Sequence, residues 1–169
     1  QGFEIDGITG TTGSLSFANA LNLLSNDDEY DINMLVLPGV SNAMASAVVS
    51  KAIDTAESRQ DTFVLADPVG KGAMIADAVS AAETYDSNYA AMYWPWVQVN
   101  EPQIGRNVWV PPSAVMAGVI AFNDKVAHEW FAPAGLNRGG LTTVLEAQTR
   151  LTHSERDDLY EDRVNPIAS

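Results

Sequence analysis

Two short apolar runs, residues 32–37 (INMLVL) and 62–66 (TFVLA), each stop at a proline, at Pro38-Gly39 and at Asp67-Pro68. Runs this short with no polar alternation read as strands buried on both faces, and such strands need helices over them. The stretch between the two supplies one. It is rich in Ala and Val, Met44, Ala47, Val48 and Ala52 fall at helical spacing, Ser41 or Asn42 stands at the cap position, and the pattern lasts to about Ser58. A strand, helix, strand unit of this kind points to parallel pairing.

The alternation continues on both sides. Residues 15–24 place Leu15, Phe17, Ala18, Leu21 and Leu24 near one helical face, with Ser14 or Ser16 as cap and Asn26-Asp27-Asp28-Glu29 ending the helix in solvent. Residues 71–85 contain a third helix with Met74, Ala78 and Ala81 or Ala82 inward. Residues 89–99 (YAAMYWPWVQV) read as an aromatic strand broken by Pro95, and 108–110 as a short extended segment. Pro111 and Pro112 open a fourth helix over 113–124, because proline is tolerated in a first turn. Residues 141–151, after Gly139-Gly140, are a further strand candidate, and Thr152 with Glu155 forms a capping box for a last helix. Residues 2–14, rich in Gly and Thr, read as loop or irregular strand. The predicted fold class is α/β: a mixed, mainly parallel sheet with helices packed on its faces. No internal repeat or second domain is marked, so residues 1–169 read as one domain. The chain starts at Gln1 and stops at Ser169 just after a proline, which we read as a fragment of a longer chain.

Composition narrows the function classes. A hydrophobic share of 46% against 18% charged supports a packed core. The net charge of −13 opposes direct binding to phosphate backbones. No cysteine is present, which removes disulfides, thiolate catalysis and cysteine metal sites. No apolar run approaches the roughly 20 residues that span a bilayer.

Reactive motifs fail on named residues. The two histidines, His128 and His153, lack metal-ligand spacing, and a surface or cap role suits both. A triad of Ser113, His128 and Asp67 can be drawn, but no GxSxG elbow supports it, and Ser113 reads as a first-turn helix residue. Gly70-Lys71-Gly72 is not a phosphate loop, because Gly72 stands where a magnesium-binding hydroxyl belongs. Gly7, Gly10 and Gly13 follow no apolar strand. The acidic runs 27–29 and 157–158 read as solvated surface. Trp94, Trp96, Trp109 and Trp130 read as core and inter-element packing, with a subunit interface as the alternative for some. No cofactor, metal or catalytic residue is predicted.

Taken in order, the segments resemble the contractile tail sheath proteins of bacteriophages, a family related to the sheaths of R-type pyocins and type VI secretion systems. INMLVLPG resembles the family's central strand. The segment AVVSKAIDTAESRQDTFVLADP is similar to its helix, Arg-x-Asp step and next strand, on Arg59, Asp61 and Asp67. YAAMYWPWVQV resembles its Tyr-x-Pro strand on Tyr93 and Pro95, and WVPPSAVMAGVIAFND its Pro-Pro-Ser turn and helix. WFAPAGLNRGG resembles its Ala-Pro-Ala-Gly loop on residues 132–135 with Asn137, Arg138 and Gly139, and ERDDLYEDRVNPI its closing Leu-Tyr and Asn-Pro elements.

The resemblance implies the family's conserved domain, subtilisin-like in fold but without the triad, and a structural polymer rather than an enzyme. Its implied partners are other sheath subunits in a six-fold helical assembly, the tail tube, the baseplate and the tail terminator, with no nucleic acid and no membrane insertion. The implied place is the virion tail, assembled in the host bacterial cytoplasm. The implied action is contraction that drives the tube through a cell envelope for genome ejection, from energy held in subunit contacts. It also implies terminal arms and an insertion domain that lie outside this chain. On that basis Arg59, Arg138, Arg156 and Arg163 are the candidate inter-subunit or loop-bracing residues, with ordinary local salt bridges as the alternative. The sheath of a phage-derived injection system, a subtilisin-like hydrolase and a small-ligand α/β module are the other readings.

Overall fold

The computed structural model describes residues 11–168. Gln1 to Gly10, including Gly7 and Gly10 of the glycine spacing, lie outside them. The first helix, α1 (Thr11–Leu24), opens upstream of its expected start, so Gly13, Ser14 and Ser16 are helical rather than loop or cap. Phe17 and Leu21 turn inward, while Leu15 is exposed. Residues two apart stand about 200° apart around a helix, so Leu15 and Phe17 cannot share a face.

Strand β1 (Met34–Ser41) passes through Pro38-Gly39 instead of ending there. Gly39 adopts φ 83°, and the register with the next strand shifts between Val36 and Ser41. β1 is an edge strand, where a proline costs no ladder bond on the open side. Helix α2 (Asn42–Arg59) follows with Ser41 at its N-cap, though no side chain closes the cap, and the backbone kinks at Ala45. It buries Val48, Val49, Ala52, Ile53 and Ala56, whereas Ala47 faces solvent.

β2 (Phe63–Asp67) pairs parallel with β1, and α3 (Ile75–Ala82) leads to β3 (Ala90–Trp94), parallel with β2. Ala78, Ala81 and Ala82 of α3 are buried as expected. Met74 is exposed, because it precedes the helix as N-cap, where the Asp77 carboxylate accepts its N–H at 3.0 Å.

The aromatic run then divides. At the cis Trp94–Pro95 bond the chain leaves the parallel sheet and enters β4 (Val97–Glu101), which pairs antiparallel with β5 (Arg106–Val110). Helix α4 (Pro112–Val126) has Pro112 in its first turn, as expected. Next come α5 (Gly135–Arg138), β6 (Val144–Ala147), α6 (His153–Glu161) and β7 (Val164–Pro166). Of the strand expected over 141–151, only residues 144–147 form one. The Thr152–Glu155 capping box is present: Thr152 Oγ1 accepts the Glu155 N–H, and the Glu155 carboxylate accepts the Thr152 N–H.

The result is a four-stranded parallel sheet, β1-β2-β3-β7, beside a three-stranded antiparallel sheet, β5-β4-β6. This is the mixed, mainly parallel α/β class. Alternating residues of the parallel strands face two cores. Leu35, Leu37, Val64, Ala66, Met92 and Trp94 join α1, α2, α3 and Leu159 of α6. Met34, Val36, Phe63, Leu65, Ala91 and Tyr93 meet Met116 and Val119 of α4 on the other face. Two successive crossovers in the same direction put α2 and α3 on one side, and the return path supplies α4 to the other.

Candidate functional site

The strongest polar node centres on Arg59, whose side chain is 1% exposed at the end of α2. Its Nε and Nη2 donate to the two Asp61 oxygens, both at 2.9 Å, and Nε also reaches Thr62 Oγ1. Nη1 donates to Leu24 O and Nη2 to Tyr30 O, each at 2.7 Å. One guanidinium therefore ties the end of α1, the 25–33 loop and the entry to β2. The planar fork explains why arginine stands here: a lysine presents no second plane of donors. The same hydrogen bonds hold the Asp61 carboxyl below its ordinary range.

The other arginines are elsewhere. Arg163, at φ 70° between α6 and β7, donates to Tyr85 O at 2.9 Å and lies 3.4 Å from exposed Asp86. Arg138 lies over the Phe131 ring, 4.7 Å from its centroid, with its Nε buried and unpartnered. Arg156 makes one exposed bond back to Thr152 O within its own helix. The four do not converge.

The residues that look most like chemistry form a helix anchor. Ser113 Oγ donates to Asp67 Oδ2 at 2.7 Å, and the Ser113 N–H donates to Asp67 Oδ1 at 3.0 Å. Asp67, at the end of β2, thus caps the N-terminus of α4 from across the sheet, where a carboxylate is favoured. Burial pushes its pKa up to about 6, against the pull of both Ser113 bonds and the Gly39 N–H. Both side chains are sealed, at 0% and 1% exposure, so no substrate reaches the serine. His128 lies past the far end of α4, roughly 20 Å of helix away, and stacks on Trp130 and Phe131. His153 is the first residue of α6. The drawn triad is not assembled. Among the described residues no group of His, Asp and Glu is placed to hold a metal ion, and no helix is long and apolar enough to cross a membrane.

The tryptophans separate by role. Trp94 and Trp96 are buried, and Trp96 Nε1 donates to Val69 O at 3.0 Å where the two sheets meet. Trp109 is half-buried with Lys71 over its ring. Trp130 is 77% exposed, so the core reading does not hold for it. Beyond Trp130 opens an apolar cleft of about 740 Å³ between the 132–141 segment, β6 and β7, with Leu136, Leu145 and Tyr160 exposed along it. Sequence reasoning missed this cleft because its walls come from three distant segments. The Ala-Pro-Ala-Gly loop was the one visible signal.

The arginine brace and the helix anchor thus tie elements together, while the apolar cleft stays open. A family model described as phage tail sheath protein central domain matches residues 4–169. The chain belongs to this family. The sheath domain is 28% identical, over 93% of its length, to the tail sheath protein of Enterobacteria phage T4, and covers 27% of that protein. It is 29% identical over 95% of its length to the tail sheath protein of Vibrio phage KVP40, covering 28%, and 26% identical over 89% to that of Salmonella phage ViI, covering 24%. The sheath domain thus spans about a quarter of the length of the curated relatives it matches.

Proposed function

We propose that residues 1–169 act as one domain within a subunit of a contractile tail sheath. The subunit polymerises with other sheath subunits in a six-fold helical assembly around an inner tail tube, in contact with baseplate and tail terminator. Contraction drives the tube through a cell envelope for genome ejection. The subunit is a structural element of the virion tail rather than an enzyme, assembled in the host bacterial cytoplasm. The observation that carries this reading is the match to the sheath central domain along nearly the whole chain. Two physical features support it. A subunit that moves as a rigid body needs a stiff interior, and the two packed faces of the parallel sheet supply one. The Ser113–Asp67 pair, the serine–carboxylate contact that most looks catalytic, is closed to solvent.

In this reading Arg59 and Arg163 are loop braces, Arg138 stiffens the 131–139 turn through the Phe131 ring, and Arg156 is a local helix contact. Electron microscopy of the full-length protein tests the function. Hollow tubes or stacked rings are the expected result, and a monodisperse particle that never polymerises overturns it.

A further inference from the structure

We draw no further inference here: the strongest candidate, the apolar cleft between the 132–141 segment, β6 and β7, is an unpartnered face, and nothing in the structure shows what covers it.

Discussion

Asp67 shows how a residue's neighbours decide its chemistry. Its carboxyl is placed to hold the first turn of α4, and burial lifts its pKa from 3.8 to about 6. A raised folded-state value means that the folded protein binds the proton more tightly than the unfolded chain. The resulting stabilisation is fully present below about pH 3.8 and is lost as pH rises through about 6. The span corresponds to roughly 3 kcal/mol. Thermal melts of wild type and Asp67→Asn, compared at pH 7 and pH 5, check this. Asparagine keeps an oxygen for the Ser113 N–H and titrates no proton. Wild type is therefore expected to gain stability relative to the variant as pH falls, and a constant difference contradicts the account. Subtracting the variant also removes the general relief of acidic repulsion, which both proteins share. Asp61 and Glu155, held below their ordinary values by hydrogen bonds, act oppositely and at lower pH. The sequence placed Asp67 correctly at a strand end and Ser113 in a first helical turn. It did not place them together, because they are 46 positions apart and only the sheet brings them into contact.

At the scale of elements, Arg59 joins what the backbone alone leaves separate. Removing it leaves Leu24 O and Tyr30 O without their donors and frees the end of α1 from α2. Arg59→Ala is expected to cost about 2–4 kcal/mol in chemical denaturation. Arg156→Ala, which removes one exposed bond, should stay within about 0.5 kcal/mol. Equal effects from the two would refute the bracing role. Elements with strong local signals were legible in the sequence: α2 from its periodicity, the Thr152–Glu155 box, and the Pro112 start of α4. Two boundaries were not. β1 continues through Pro38-Gly39 because an edge position and a positive φ at Gly39 absorb the irregularity. α1 extends upstream of Leu15 because a helix that packs on α2 tolerates a poor helix former such as Gly13.

At the scale of the whole molecule, the proposed assembly should respond to charge. Residues 1–169 carry −13, so in the sheath reading copies approach against mutual repulsion. The Debye length falls from about 30 Å at 0.01 M salt to about 3 Å at 1 M. Assembly of the protein alone is therefore expected to strengthen as salt rises, read by sedimentation or light scattering. Binding of an acidic face to a basic tube would weaken over the same range, and indifference to salt contradicts both. The sequence by itself determined the α/β class, the buried parallel strands, the lack of a triad elbow or phosphate loop, and the sheath resemblance. All of these are written in local periodicity, composition and the order of short motifs. Only the tertiary structure decided that Trp130 is exposed while Trp96 is sealed, that Asp67 anchors α4, and that the 132–141 segment, β6 and β7 enclose an apolar cleft. Burial and cleft shape depend on which distant segments meet. That is settled by packing over the sheet, which no stretch of neighbouring residues encodes.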